Sequence, residues 1–425
     1  MNVRIIIVLM LLFKSTIYAQ NNFDGDFLFK NASLITMKED KLIKNSSLLI
    51  KDGKIKEILV GKLPSLKVKK IIDLGGKFVM PTLSDAHVHL PKEEKEFKKY
   101  LILNLINGVT NLRSMRGKWE HLKYRDKYNT KGSIYPKLFL SAPPISRRYE
   151  FTKNELVSFM EAARKFDFIK ILSIKNEKIF KQLDSLCKKE NISIGGHFPS
   201  NINDKYIFNS KYKSFEHLGG LVTDGEAFKE RLSKIKEKNI FICPTLSWYD
   251  IGSGRYNYKE LRNMPGMNFI AKETIDNWIV KTKAYRTKIG KKEYEKEVRE
   301  ELDKLNKKYI VIKKLYDVGV KMLLSPDSSS KYMVPGFGMI GEMKLLKKAG
   351  LTNYAILEMA TKNYAEFLQQ NRGTLELNKE AEFLVLNKNP LIDFAALEKI
   401  ESIFLNNQFL AKKDIEALSK SISFN

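Results

Sequence analysis

The sequence predicts an α/β fold, a (β/α)8 barrel of the TIM type with a small β-sandwich domain assembled from both chain ends. After Leu83, eight strand-like apolar segments alternate with helical ones, which is typical of a parallel barrel. Before this point, and again after residue 371, short β-branched segments are separated by polar turns. The 425 residues, 43% of them hydrophobic, are enough for a barrel and a companion domain.

The first 19 residues predict a secretory signal peptide. Arg4 gives a basic start, and residues 5–13 form an apolar run that is too short to cross a bilayer as a helix. We expect cleavage after Ala19, and an uncut N-terminal anchor is the alternative. No later segment predicts a transmembrane helix, so we expect an exported chain, periplasmic or secreted, without stable membrane insertion.

The composite domain is predicted over residues 20–82 and 372–425. Asp52-Gly53 is a hairpin signal between two of its segments. The strands predicted from β-branched and apolar residues are 27–35, 47–50, 54–60, 69–73 and 382–386. We expect the strands from the two chain ends to pair with each other in one β-sandwich domain.

The barrel is predicted over residues 83–371. Its strands are expected at 85–89, 109–112, 137–141, 168–172, 193–197, 214–217, 240–244 and 322–325. Apolar residues at helical spacing predict helices at 155–165, 176–189 and 227–238. The charged helical insertion at residues 250–318 predicts a lid over the barrel mouth or, equally, a pair of additional surface helices.

The charge and the cysteines argue against two other classes of protein. The net charge is +26, but lysines are dispersed and interleaved with glutamates, so we expect a solvated surface and no nucleic-acid partner. Such an excess of positive charge could still steer anionic substrates towards the protein. Two cysteines do not make a disulfide framework, and we expect Cys187 and Cys243 to be free.

Four of the five histidines follow predicted strands. His87 and His89 alternate along one strand, so their side chains project to the same side. His197 and His217 end two later strands, and Asp327 follows the last one. Because the carboxyl ends of barrel strands meet at one face, imidazoles and a carboxylate at these positions predict a metal site.

Lys170 lies within a strand that we expect to be buried, where a lone ammonium is costly. Carboxylation of its amine by carbon dioxide would convert it into an anionic oxygen ligand that could bridge two metal ions. The alternative is a lysine that extends out of the strand end. The fifth histidine, His121, lies in a charged stretch, and we expect it at the surface without a role.

Several segments resemble the metal-dependent amidohydrolase superfamily, in its imidazolonepropionase/prolidase-like branch. These are residues 77–90 (KFVMPTLSDAHVHL), 108–115 (GVTNLRSM), 337–368 and 373–391. The resemblance covers nearly all of the chain after the signal segment. Thr82, Ser84 and residues 378–383 (NKEAEF) depart from the family's usual pattern, but they lie in the framework rather than among the metal ligands.

The resemblance implies the binuclear subtype with a carboxylated lysine, in which two Zn²⁺ ions are held by six residues, His87, His89, Lys170, His197, His217 and Asp327. His87 and His89 would hold the more buried ion with Asp327, His197 and His217 would hold the second, and carboxylated Lys170 would bridge them. The ions would share a bridging water of pKa near ~7, and Asp327 would act as general base. His217 is a further catalytic candidate near the developing oxyanion.

The branch implies hydrolysis of C–N bonds in amides or peptides. An exported chain fits a dipeptidase or an N-acyl amino acid hydrolase, acting on a dipeptide or another small molecule. Such a substrate needs a carboxylate-binding group, and Tyr249 and Arg113 are the candidates that we select, with Arg147-Arg148 as further cations. A structural ion pair is the equal alternative for each arginine.

Three other interpretations stay open at this point. The same metal centre would serve a hydrolase of cyclic amides, lactones or phosphoesters. A barrel that has lost catalysis and only binds a partner predicts missing ligands, and none of the six is missing. The oligomeric state is also open, and a homo-oligomer is compatible with the sequence.

Overall fold

A computed structural model describes residues 23–148, 151–221, 225–328 and 330–423. The predicted signal peptide lies outside the described residues. Among the residues that are described, no helix is both long enough and apolar enough to cross a membrane.

The strands of the described residues fall into three sheets. In chain order they are β1 (Phe23–Ile35), β2 (Leu42–Lys51), β3 (Lys54–Val60), β4 (Leu66–Asp73), β5 (Phe78–Pro81), β6 (Leu83–Val88), β7 (Val109–Ser114), β8 (Lys137–Leu140), β9 (Phe168–Ile171), β10 (Ser193–Gly196), β11 (Tyr212–Glu216), β12 (Phe241–Cys243), β13 (Phe383–Leu386), β14 (Ile400–Leu405) and β15 (Gln408–Ala411).

The described helices include the three that apolar periodicity predicts. In chain order the described helices are α1 (Glu94–Ile106), α2 (Glu120–Tyr128), α3 (Lys153–Ala163), α4 (Glu177–Lys189), α5 (Asp204–Phe208), α6 (Glu226–Glu237), α7 (Leu246–Gly252), α8 (Tyr258–Arg262), α9 (Lys272–Ile289), α10 (Lys291–Asp317), α11 (Gly338–Lys348), α12 (Asn353–Ala360), α13 (Lys362–Phe367) and α14 (Lys412–Ile422). Polar caps explain two of the starts. Thr152 begins α3 in a capping box with Glu155, and the Asn176 side chain accepts from the Ile179 amide at the start of α4.

Strands from both chain ends form one sheet, in the order β15-β14-β13-β5-β1-β2-β3, with β4 also paired to β1. The two ends join where β13 runs antiparallel to β5, with Val385 opposite Val79. The hairpin signal between β2 and β3 is confirmed, because Asp52 and Gly53 both adopt positive φ and Lys51 pairs with Lys54.

This sheet curls over itself around an aromatic core. Phe29 on β1 and Phe404 on β14 are three strands apart along the sheet, which corresponds to ~14 Å if the sheet were flat. Their ring centroids are nevertheless 5.1 Å apart, and Phe383 packs against both rings. The sequence predicted a β-sandwich domain from both chain ends, and the structure forms this region from one continuous sheet whose curvature brings its two halves together.

Two parallel sheets follow, β6-β7-β8 and β12-β11-β10-β9. The segment after β8 hydrogen bonds to β9, because Ala142 N donates to Phe168 O (3.0 Å) and Ile145 N donates to Lys170 O (2.8 Å). The parallel strands alternate with helices, so the α/β class is observed. Complete closure into an eight-stranded barrel stays a prediction.

The predicted eighth strand, residues 322–325, is not a regular strand. It still contacts the strands on both sides, because Leu323 N donates to Ile242 O (2.8 Å) and Ala86 N donates to Leu324 O (3.1 Å). Single hydrogen bonds and one bridge, between Ile242 and Met322, replace a continuous ladder here. The segment therefore places Asp327 beside β6 without forming an extended strand of its own.

The insertion at residues 250–318 consists mainly of helices, from the end of α7 to α10. Ile275 and Ile279 of α9 pack with Leu103 of α1 and with Tyr332, which follows Asp327 in the chain. The Thr282 and Tyr332 hydroxyls are 2.8 Å apart, so a hydrogen bond also ties α9 to the segment after Asp327.

Candidate metal centre

Strand β6 carries two of the predicted ligands to the side of Asp327. All six of its residues are buried, and the His87 side chain is 1% exposed, whereas His89 just beyond the strand is 33% exposed. Asp327 Oδ1 lies 3.8 Å from His87 Nε2 and 3.4 Å from His89 Nε2. These three side chains therefore offer converging nitrogen and oxygen atoms to one position.

The other two histidines continue this cluster. The ring centroids of His87 and His217 are 4.9 Å apart, as are those of His217 and His197. Backbone hydrogen bonds place them, since His197 N donates to Ile171 O and His217 N donates to Cys243 O. The structure thus brings together all four histidines that the sequence selected.

Contacts on the far side of two rings select the nitrogen that faces the cluster. His87 Nδ1 lies 2.9 Å from Glu216 Oε2, and an ionised carboxylate can only accept, so His87 donates there. Thr245 Oγ1 donates to Pro244 O and accepts from His217 Nδ1 at 2.5 Å. Both rings therefore keep Nε2 for a metal, as is usual for ligating histidines.

The backbone is strained at three positions of this site. His217 (φ 63°), Thr245 (φ 52°) and Asp327 (φ 64°) adopt the left-handed region, which side chains other than glycine rarely occupy. Such residues cost roughly 1–3 kcal/mol each and persist where the surrounding structure holds them. The strain turns these side chains towards the histidine cluster at the points where the strands end.

Burial controls the ionisation of the cluster. It lowers the pKa of His89 and of His197 to about 4, and the nearby Lys170 ammonium acts in the same direction. The same causes, with His87 and His197 acting on His217, hold the pKa values of His87 and His217 well below their usual range. Neutral imidazoles are the form that binds a metal at neutral pH.

Burial also shifts the pKa values of Lys170 and Asp327 in the directions that favour their neutral forms. Lys170 is 2% exposed, burial lowers its pKa to about 8, and its Nζ has no hydrogen-bond partner among the described residues. Burial raises the pKa of Asp327 to about 7, and its Oδ1 lacks a partner within the same part of the chain. Unsatisfied buried polar atoms are rare and call for an explanation. A metal ion beside the Asp327 carboxylate would satisfy its Oδ1, and it would satisfy Lys170 only once that amine is neutral or carboxylated.

The two predicted substrate contacts occupy different places. Tyr249 lies in the middle of α7 beside the cluster, and its ring centroid is 6.5 Å from that of His217. Arg113 on β7 is 1% exposed, and its guanidinium donates to Glu216 Oε1 and to Ser214 Oγ, both at 2.8 Å. Arg113 is thus engaged in the buried ion pair that was its alternative interpretation.

One prediction about histidines is wrong. His121 is fully buried rather than at the surface, because its ring packs with Phe97 and lies 3.0 Å from the Pro91 carbonyl oxygen. The charged residues next to His121 in the sequence suggested an exposed position, but the ring faces the core. Cys187 and Cys243 are free and buried, as expected.

Three residues around the centre were missed from the sequence. Glu216 contacts His87, Thr245 contacts His217, and Lys308 of α10 lies over the Tyr249 ring at 4.1 Å from its centroid. Glu216 stands directly before His217, and that adjacency was the available signal. Nothing local in the sequence marks Lys308 among its neighbouring lysines.

The sequence pattern of the amidohydrolase family matches residues 138–410, well over half of the chain. The chain belongs to the amidohydrolase family. The matched segment contains Lys170, His197, His217 and Asp327, and it begins after His87 and His89. Family membership confirms the resemblance that the motifs indicated, and it makes this protein a hydrolase of a family that typically binds metal.

Relatives of known name match smaller parts of the amidohydrolase. An adenine deaminase of Clostridium perfringens is 27% identical over 195 residues, covering 41% of this chain and 33% of that protein. A dihydroorotase of Caldicellulosiruptor saccharolyticus is 39% identical over 72 residues, 17% of this chain and 16% of that protein. The chain therefore spans a third or less of the length of these curated relatives.

Solved structures match over almost the whole length. A Xaa-Pro dipeptidase with methionine bound in its active site has a TM-score of 0.69 at 17% identity, covering 91% of this chain and 99% of that one. Bottromycin amidohydrolase has a TM-score of 0.74 at 18% identity, with coverage of 93% and 89%. Aspergillus niger ochratoxinase has 0.65 at 15% identity, with 91% and 95%. At these identities the likeness shows a common fold.

Proposed function

We propose that this amidohydrolase is a zinc-dependent hydrolase of amide or peptide C–N bonds, exported as a dipeptidase or an N-acyl amino acid hydrolase. The observation that carries the proposal is the Asp327 carboxylate, which lies 3.4 Å and 3.8 Å from the Nε2 atoms of His89 and His87. A buried carboxylate within a cluster of neutral histidines suits both metal binding and proton transfer. We further propose that the parallel strands close into a complete barrel around it.

The donor set fits two zinc ions, because imidazole nitrogens and carboxylate oxygens are preferred zinc ligands. His87, His89 and Asp327 would hold one ion, and His197 and His217 the other. We propose that Lys170 is carboxylated, since its unpartnered amine then becomes an anionic bridge that balances the metal charge. When bound, the ions polarise the scissile carbonyl and acidify water.

Asp327 moves the proton in this proposal. Its Oδ1 accepts the proton of the attacking water, and the same carboxyl group then delivers that proton to the leaving amine. His217 stays a ligand, with its Nδ1 proton held on Thr245, and its Nε2 faces the cluster. The left-handed backbone at Asp327 accompanies a side-chain position close to His87 and His89.

Tyr249 and Lys308 support a substrate that carries a carboxylate. Lys308 is half-buried, and it forms no ion pair with any described residue, although its ammonium lies over the Tyr249 ring. A phenol beside His217, with a cation over its ring, suits the free carboxylate of a dipeptide or an N-acyl amino acid. The dipeptidase among the similar structures agrees with this substrate class.

A second candidate is hydrolysis of a cyclic substrate. The curated relatives are named adenine deaminase and dihydroorotase, and both names describe reactions on nitrogen heterocycles. The same metal centre would serve that chemistry, and it would also serve lactones or phosphoesters. Lys308 favours a substrate that carries a carboxylate, which every dipeptide and N-acyl amino acid has and a neutral heterocycle such as adenine lacks.

The test is amino-acid release from a panel of dipeptides and N-acyl amino acids by zinc-loaded protein, with Asp327→Asn as the matched control. We expect release by the wild type and a loss of at least about a hundredfold in kcat in the variant, because general base catalysis contributes roughly 10²–10⁴. Release that is equal in both proteins would refute the role of Asp327. No release by either, with turnover of a cyclic amide, would favour the second candidate.

The export proposal rests on the sequence of the first 19 residues. If the chain is exported, it would hydrolyse its substrates in the periplasm or outside the cell.

A further inference from the structure

We propose that Glu216 is a positioning residue that sets the tautomer of His87 and thereby allows the first metal site to form. The inference rests on the proposed metal centre, and it adds a residue that neither the motifs nor the family match select. Hydrogen bonds between buried side chains of β6, β7 and β11 connect Glu216 to His87.

The Glu216 carboxylate contacts the His87 ring directly. Glu216 Oε2 lies 2.9 Å from His87 Nδ1, and both side chains are within 1% of full burial. The carboxylate accepts, so the imidazole proton must reside on Nδ1. His87 Nε2 then carries the lone pair, and this is the nitrogen that lies 3.8 Å from Asp327 Oδ1.

Arg113 and Ser214 keep the Glu216 carboxylate ionised and oriented. Arg113 Nη1 donates to its Oε1 at 2.8 Å, and Ser214 Oγ donates to the same oxygen at 2.6 Å. Arg113 Nη2 also donates to Ser214 Oγ at 2.8 Å, which closes a small network. Because both donors use Oε1, the other oxygen is left for His87.

Arg113 needs space between the strands to reach Glu216. Its guanidinium lies between the rings of Phe168 and Phe367, at 4.4 Å and 4.9 Å from their centroids. On β10, a Cβ at Gly195 would lie 2.3 Å from Arg113 Nη2 and 2.9 Å from Ser214 Oγ. Gly195 therefore leaves the room in which the network is built.

Glu216→Gln reverses the proton arrangement with almost no change of shape. The amide oxygen can still accept from Arg113 and Ser214, so the amide nitrogen would face His87 Nδ1 as a donor. His87 Nδ1 must then accept this hydrogen bond, so the imidazole proton moves to Nε2, where it blocks metal binding. We expect zinc affinity to fall by roughly 10–100-fold, the usual effect of removing such an outer partner. Competition with a chromophoric chelator measures it in the full chain.

Glu382→Gln is the matched control, because it makes the same chemical change at another buried carboxylate that pairs with an arginine. Glu382 lies 3.0 Å from Arg372 and 3.1 Å from Lys137, and neither of these residues contacts a histidine of the cluster. We expect wild-type zinc affinity in this control. A folded Glu216→Gln protein with wild-type zinc affinity would overturn the proposal.

A second measurement reads the tautomer directly and leaves Glu216 unchanged. The chain has five histidines, so ¹⁵N-histidine labelling of the zinc-stripped wild type gives a small set of ring signals. We expect His87, assigned by its loss in His87→Gln, to carry its proton on Nδ1. A proton on Nε2 would overturn the proposal. Both tests read zinc binding or a tautomer, so failure of the peptide assay would leave their outcome unchanged.

Discussion

At the scale of residues, the histidine cluster illustrates how burial prepares side chains for metal binding. Desolvation keeps the imidazoles neutral, while Lys170 and Asp327 carry buried polar atoms that have no hydrogen-bond partner in the described parts of the chain. Each of these features would be unfavourable in an inert core. Together they form a donor set whose charges a metal ion compensates.

Lys308 provides a residue-scale prediction about substrate choice. Lys308→Ala should raise KM for substrates with a free carboxylate by about tenfold, the effect of a loss of ~1.4 kcal/mol, and should change kcat little. The reason is that, in our proposal, Lys308 binds the substrate carboxylate without contacting the reacting bond. Steady-state kinetics on a dipeptide and its C-terminal amide would measure the effect.

Lys307→Ala is the control for this prediction, because Lys307 is the exposed neighbour on the same helix. It alters the net charge equally but leaves the cation over Tyr249 in place. An equal rise of KM in both variants, or an equal effect on the amidated peptide, would show that Lys308 acts only through overall charge.

At the scale of elements, α7 is held by a side chain from α11. Glu342 is fully buried, and it accepts from the Leu246 and Ser247 amides at 2.8 Å and 2.7 Å and from the Ser247 hydroxyl at 2.7 Å. A carboxylate at a helix start satisfies amides that lack helical partners. The contact fixes α7, and with it Tyr249, against the rest of the fold.

Removing this carboxylate should destabilise the protein. Glu342→Ala leaves two buried amides and a hydroxyl without a partner, and we expect a loss of at least about 1–3 kcal/mol in the free energy of unfolding. Urea denaturation followed by circular dichroism would measure it. Lys347→Ala on the exposed face of the same helix should change stability by less than about 0.5 kcal/mol. Equal stability of the two variants would contradict the role of Glu342.

At the scale of the whole molecule, the centre joins distant parts of the chain. Its candidate ligands lie on or just after β6, on β9, just after β10 and β11, and in the segment after residue 325. An ion bound to all of them stabilises only the folded state, because the unfolded chain does not bring them together. The stabilisation is about 2.7 kcal/mol when the free metal concentration is a hundred times Kd.

Metal removal should therefore lower Tm. We expect the chelator-treated protein to melt a few degrees below the zinc-loaded one, with recovery on addition of zinc, as measured by scanning calorimetry. In Asp327→Asn the difference should shrink, since one ligand is weakened. If chelation leaves the Tm of the wild type unchanged while metal analysis shows its loss, the centre does not connect these elements as we propose.

Much of the fold followed from local pattern. The strands β7 to β10 and helices α3, α4 and α6 lie within a few residues of their predicted positions, because apolar periodicity reports which face of an element is buried. The eighth strand and His121 were harder. Residues 322–325 are apolar enough for a strand, but their neighbours offer them only single hydrogen bonds.

The sequence by itself determined the family, the α/β class and the six candidate ligands, because residue spacing within a strand dictates which side chains share a face. Tertiary structure alone decided which atoms converge. Glu216 meets His87, Arg113 lies inside the sheets, and Lys308 reaches Tyr249 through contacts between segments far apart in the chain. Such contacts depend on how strands curve and stagger against each other, and no local pattern records that geometry.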